Sequence, residues 1–176
     1  MSETLTVLTP VAAGRTRDLK EAVKRLPPGA ESPVARVVGT HVARFTVVEA
    51  LDDRNLEPDP EPGSFLLFST DIDGTTAECV ERLRTGLGQW ADRIWGHCES
   101  YPGVRRARPF GDWLLRHRVP IGFSVAPYAG ASVADVRHAL SLKRRLVGFA
   151  LEAPRLEAAE LKRAWLREFG DGRSVP

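Results

Sequence analysis

Ten consecutive residues, Ile94 to Gly103 (IWGHCESYPG), hold a Trp, a His, a Cys, an acid, a Tyr and a Pro. His97 carries a nitrogen that can take a proton or bind a metal, and Cys98 a thiol that becomes a nucleophile once ionised. Either side chain can also be an axial ligand to haem iron. The two are sequence neighbours, so their side chains diverge, and a Cys–His nucleophile–base pair is not expected from them. A purely structural account is also available. Gly96 can close a helix, His97 suits the negative end of that helix, and Pro102-Gly103 turns the chain. Trp95 and Tyr101 can pack the loop down. The stretch is therefore expected to wall a cavity first and to act chemically second.

Two further groups have side chains for proton transfer. His41 and Arg44 lie in RVVGTHVARFTVVEA (Arg36–Ala50), a run rich in β-branched residues. Three residues apart on a regular strand, they point to opposite faces, and only one of them can face a cavity. Asp71 and Asp73 close SFLLFSTDIDG (Ser64–Gly74) and share a face. Such a carboxylate pair can hold a proton or orient an imidazole on the neighbouring strand. Asp73 has a simpler role as the acid of an Asp-Gly turn that helps to start the next helix, which leaves Asp71 as the candidate. The candidate site is thus His41, Arg44, Asp71 and His97, with His97 and Cys98 as possible cofactor ligands. His117 and His138 sit among charges on expected helices and read as surface residues.

The elements that must position these residues follow from periodicity. TLTVLTPV (Thr4–Val11) alternates as a half-buried strand. Leu19, Val23 and Leu26 then recur at helical spacing until Pro27. The Arg36–Ala50 strand follows, then an acidic, proline-rich connection at Leu51–Gly63, then the Ser64–Gly74 strand. A second helix carries Val80, Leu83, Leu87, Ala91 and Ile94 on one stripe, with Gly86 and Gly88 as local weak points. Pro109–Arg118 suggests a short helix and Val119–Tyr128 a fourth strand. Ser132 with Asp135 forms a capping-box pattern ahead of a long helix, and a last amphipathic helix precedes the tail DGRSVP. The order β-α-β-β-α-(α)-β-α-α contains βαββαβ, the ferredoxin-like arrangement of a four-stranded antiparallel sheet with helices on one face. The domain is expected over residues 1–151, with residues 152–176 as a helix and tail on the same domain. The uncovered sheet face, carrying residues such as Phe65, Leu67, Val42 or Phe123, needs an apolar partner, and a second copy supplies one.

With TPVAAGR before an amphipathic helix and GTHVARF on a strand, the chain resembles the dimeric α+β-barrel superfamily over about Leu5 to Leu151. THVARF, LLFSTDIDG, IWGHCESYP and AGASVADVR look like motifs of uncharacterised bacterial members. The superfamily includes antibiotic-biosynthesis-type monooxygenases, polyketide cyclases, chlorite-dismutase-like haem proteins and dye-decolorizing peroxidases. The resemblance implies a homodimer and a small-molecule oxidoreductase of monooxygenase or peroxidase type, cofactor-free or haem-dependent. It equally implies a non-catalytic ligand-binding or accessory protein of the same fold. Thr70 stands where the peroxidases' GxxDG motif has its first Gly, so their distal acid is not carried over to Asp73.

Composition narrows the partners. Charged residues make up 27% of the 176 and the formal net charge is only +2, so nucleic acid is not expected. The basic runs Arg105–Arg108 and Lys143–Arg145 have no interleaved aromatics and read as solvated faces. No apolar run approaches membrane-spanning length, no signal sequence opens the chain, and the two cysteines have no metal-site spacing. The expected partner is a small apolar or aromatic molecule bound by a cytoplasmic protein.

Overall fold

The computed structural model of the chain describes residues 2–49, 63–123 and 130–170. The expected connection at Leu51–Gly63 lies almost wholly outside the described residues, as does the tail at 171–176. Two compact units are present, Met1–Gly130 and Ala131–Pro176.

The first unit is built on strands β1 (Ser2–Pro10), β2 (Thr40–Val48) and β3 (Phe65–Asp73), in the order β1-β3-β2. Both outer strands run antiparallel to β3, so β1 and β2 are parallel to each other with β3 inserted between them. Alternation decides the faces. Leu66, Phe68, Thr70 and Ile72 of β3 are buried, and Leu5, Val7 and Thr9 of β1 lie in register beside the first three. Helices α1 (Thr16–Lys24), α2 (Thr76–Leu87), α3 (Gln89–Trp95) and α4 (Ala107–Arg116) close over this face. They contribute Leu19, Leu83, Ile94, Trp95, Phe110 and Trp113 to one continuous core. Trp95 sits at its centre, with ring centroids of Phe45, Phe68 and Phe110 at 5.8, 5.3 and 6.0 Å. The two buried threonines are satisfied by strand carbonyls, Thr70 donating to Val42 (2.9 Å) and Thr9 to Leu66 (3.3 Å).

The expected second helix is two helices. Gly88 adopts φ +50°, outside the helical range, and ends α2 while opening α3. Gly86, two residues earlier, lies against Val37, so it packs on the segment before β2. The start of α2 is a full capping box: Thr75 accepts from the Glu78 amide, and Glu78 accepts from the Thr75 amide at 2.8 Å. A second acid helps there, since Glu3 accepts from both the amide (2.9 Å) and the hydroxyl (2.6 Å) of Thr76.

Among the described residues three strands are found where the sequence leads to four. Of the expected strand Val119–Tyr128, residues 124–129 lie outside the described residues. The part before them makes only a bridge. Leu8 N donates to His117 O (2.9 Å) and Val119 N to Thr6 O (2.8 Å), pairing Val7 with Arg118 antiparallel on the outer edge of β1.

The second unit consists of α5 (Val133–Glu152) and α6 (Ala158–Phe169), joined by a short 3₁₀ turn at Ala153–Arg155. Ser132 and Asp135 form the expected capping box. Phe149, Trp165 and Phe169 are in mutual ring contact, and Arg145 lies over Phe169 while pairing with Glu168 at 2.8 Å. Among the described residues no helix is long and apolar enough to cross a membrane.

Candidate functional site

A β-bulge sets the position of His41. Thr40 pairs with Ile72 and Val42 with Asp71, so His41 is the extra residue. A bulge re-aims the side chain it carries. His41 on a regular strand would face the core with Ala43 and Phe45. Instead its Nε2 lies 2.9 Å from Asp73 Oδ1, each side chain about a quarter exposed (27% and 25%). The end of β3 is fixed from two sides, because the Asp73 amide donates to Gly39 O (2.8 Å) and Arg82 Nη1 donates to Asp73 O (2.8 Å). Gly39 has φ +79°, and a Cβ there would stand 2.8 Å from Arg82 Nη1 and 3.2 Å from the Asp73 Cβ. The close approach of these three residues thus depends on Gly39. With Asp73 ionised, Nε2 of His41 carries the hydrogen and donates it, and Nδ1 keeps the lone pair.

Arg44 and Asp71 belong to the other sheet face, opposite helices α1–α4. That face presents Thr4, Thr6 and Leu8 of β1, then Leu67, Ser69 and Asp71 of β3, then Val42, Arg44 and Thr46 of β2, in register. Its polar end is cross-linked: Thr4 donates to Asp71 at 2.6 Å, and Thr6 and Ser69 hydroxyls are 3.3 Å apart. Arg44 is opposite Ser69 and one diagonal step from Asp71. Its other end is apolar, with Phe65, Leu67 and Val48. The expectation that Phe65, Leu67 and Val42 share the uncovered face matches this register. The imidazole that the sequence offers to Asp71 is held by Asp73, while Asp71 is held by Thr4.

In IWGHCESYPG most of the letters are packing. Ile94, Trp95 and Cys98 are buried. Tyr101 donates to Asp92 Oδ1 at 2.9 Å, and burial first, then Asp92, pushes its phenol up, so it stays a neutral donor. The same Asp92 oxygen accepts from the Val104 amide, and Trp113 Nε1 donates to Glu99 O at 3.1 Å. The segment also extends β1, since Glu99 N donates to Pro10 O and Ala12 N to His97 O, both at 2.9 Å. His97 Nδ1 receives Arg15 Nη2 at 2.9 Å. Partial burial and then the Arg15 charge hold its pKa below the ordinary imidazole value, with Asp18 and the Arg93 carbonyl pulling the other way. Cys98 Sγ lies 3.3 Å from Thr9 Oγ1, and burial pushes its thiol up to about 11. His97 and Cys98 thus diverge, one to Arg15 and one to the core. His117, expected at the surface, is half-buried, its ring tilted against Trp113 (centroids 5.0 Å apart) and its Nδ1 2.8 Å from Trp113 O.

The donor set does not suit haem. Iron needs an imidazole nitrogen with a free lone pair or a thiolate. The Nδ1 lone pair of His97 is taken by a guanidinium, and Cys98 is a buried protonated thiol against Thr9. Among the described residues no three His, Cys, Asp or Glu side chains cluster as a metal site. A shallow open groove of about 670 Å³ is lined by Pro102, Pro109, Asp112, Leu115 and Arg116, and none of the five candidate residues reaches it. No protein-family model, curated protein or solved structure matches the chain.

The sequence offers Asp73 as one of the two β3 acids but assigns it to its turn, and it gives no sign of Arg82, Gly39 or Arg15. The partners Arg82, Gly39 and Arg15 come from other elements, and no spacing rule links them to His41 or His97.

Proposed function

We propose that the first unit is a ferredoxin-like domain acting on a small apolar or aromatic molecule without a cofactor, with His41 as its general base. The ferredoxin-like assignment is supported by the order β1-β3-β2 with parallel outer strands, and by the bridge at Val7/Arg118, which lies on the edge where a fourth strand belongs. The observation that carries the chemistry is the 2.9 Å contact between His41 and Asp73. A carboxylate that orients an imidazole and stabilises its cation is the standard way to make a histidine a base near neutral pH. The bulge brings this pair to the end of the sheet that also carries Arg44 and Asp71. Arg44 is the cation available for an anion formed on the substrate. In an oxidation of monooxygenase type this is the proton-abstraction half, with dioxygen as the oxidant. The substrate is an aromatic compound bearing an acidic hydroxyl or C–H, its ring laid beside Val42 with the acidic group on His41.

A non-catalytic binding role has its own support, since the polar residues of the open face already satisfy one another through Thr4–Asp71 and Thr6–Ser69. Oxygen uptake with a panel of naphthols and hydroxyanthracenes separates the two. Uptake by the parent that falls at least about 100-fold in His41→Gln and remains in His97→Gln supports the base. Binding of these compounds, followed by histidine NMR shifts, with no uptake leaves the binding role alone.

A further inference from the structure

Helix α5 has two apolar sides. On one, Phe149 meets Trp165 and Phe169 of α6, and Arg145 pairs with Glu168. On the opposite side, Val136, Leu140, Val147 and Leu151 fall within an arc of about 60° at helical spacing. They are 39, 48, 51 and 69% exposed, so α6 leaves this stripe open. Arg137 and Arg144 border it on one flank and Lys143 on the other. Among the described residues none of these three cations is paired with an acid. The two acids of the helix are engaged elsewhere, Asp135 in the cap with Ser132 and Glu152 with Arg155. We infer that the stripe docks an amphipathic helix of another protein, one whose apolar seam is bordered and interrupted by carboxylates.

Charge and width select this occupant. From Val136 to Leu151 the stripe runs about 22 Å, roughly four turns of a partner helix. Its apolar residues recur at one-turn and two-turn steps, the narrow seam by which one helix packs along another. A helix lying on a bilayer buries a broader face, with Trp or Phe among its residues, and this stripe holds only Val and Leu. A second copy fits badly. The midpoint of the stripe lies between Lys143 and Arg144, so an antiparallel pair sets Lys143 against Arg144 and a parallel pair sets each against itself. A carboxylate at the centre of a foreign seam meets both cations instead. A polar residue placed within a seam also fixes the register of the two helices. The inference concerns the second unit alone and uses none of the residues of the proposed His41 site.

Two synthetic peptide helices of about three heptads test it, sharing one leucine seam and carrying either glutamates or lysines at its centre and margins. Fluorescence anisotropy with the full chain should show the glutamate helix binding at least about ten-fold more tightly than the lysine helix. Lys143→Glu/Arg144→Glu changes only exposed side chains and should reverse that preference. Leu140→Ser/Val147→Ser should weaken the glutamate helix at least about ten-fold, because the seam loses its apolar contacts. Circular dichroism of both variants should match the parent. Equal affinity for the two peptides overturns the inference, as does a preference that the charge reversal leaves in place. Binding undiminished in Leu140→Ser/Val147→Ser also overturns it, since the attraction is then charge alone. Co-sedimentation of the parent with phosphatidylglycerol vesicles that is lost on the charge reversal assigns the stripe to a membrane and overturns the helix partner.

Discussion

Arg15 Nη2 stands 2.9 Å from His97 Nδ1, and a guanidinium has hydrogens to give and no lone pair to receive with. His97 is therefore the acceptor, neutral, with its proton on Nε2. The residue with the most chemical promise in the sequence is used to tie the segment after α3 to the segment before α1.

That arrangement predicts the outcome of a haemin titration. Parent protein and His97→Gln should give the same visible spectrum, with no Soret shift that the histidine controls. A Soret shift present in the parent and absent in His97→Gln would show that Arg15 gives way to iron.

The same contact sets a pH dependence. His97 has a folded pKa below the ordinary value of 6.5. As pH falls below about 6.5 the unfolded chain takes up a proton that the folded chain resists. Stability from this group is complete above that value and is lost toward the lower folded pKa. Urea midpoints at several pH values should show a smaller acid-side decline in His97→Gln than in the parent. An identical decline would mean that other groups account for it.

Burial pushes Cys79 up to about 12 and Cys98 up to about 11. Neither should react with a disulfide reagent at pH 8 while the chain is folded, and both should react in denaturant. Above about pH 9 the unfolded thiols ionise and the folded ones do not, so stability should decline as pH rises from there toward 11 to 12. Rapid labelling of native Cys98 would contradict its place beside Thr9.

Gly39→Ala should cost about 1–3 kcal/mol, from the strained backbone and the crowding of Arg82 and Asp73. Beyond lost stability, the His41 imidazole should change its NMR shift, since Asp73 must move. A stable variant with an unchanged His41 resonance would show that the turn adapts without disturbing the pair.

Much of the fold was legible because its elements announce themselves locally. Alternation marked β1, the β-branched run Arg36–Ala50 marked β2, and Ser132–Asp135 marked the start of α5. The same capping logic would have found Thr75 and Glu78. The single helix expected over Thr75–His97 breaks at one backbone angle, because Gly88 tolerates a bend that periodicity does not register. The site was half legible. His41 and the β3 acids were recognisable by type and nearness, but pairing His41 with Asp73 requires the bulge at Thr40/Val42. A single extra residue reverses the face a side chain takes, and nothing in GTHVARF betrays it. In the same way Arg15 and His97 are 82 residues apart, brought together only because the chain after α3 lies along the end of β1.

The bridge between Val7 and Arg118 has a consequence for assembly. An unsealed sheet of three strands has two ends at which strands can be added, and repeated addition gives a filament. Here His117 and Val119 occupy one end, the outer flank of β1 around Thr6–Leu8. Among the described residues the β2 flank is left without a neighbouring strand, so any addition of a copy by strand pairing is confined to that side. The bridge at His117–Val119 acts on the β1 side as a chain terminator.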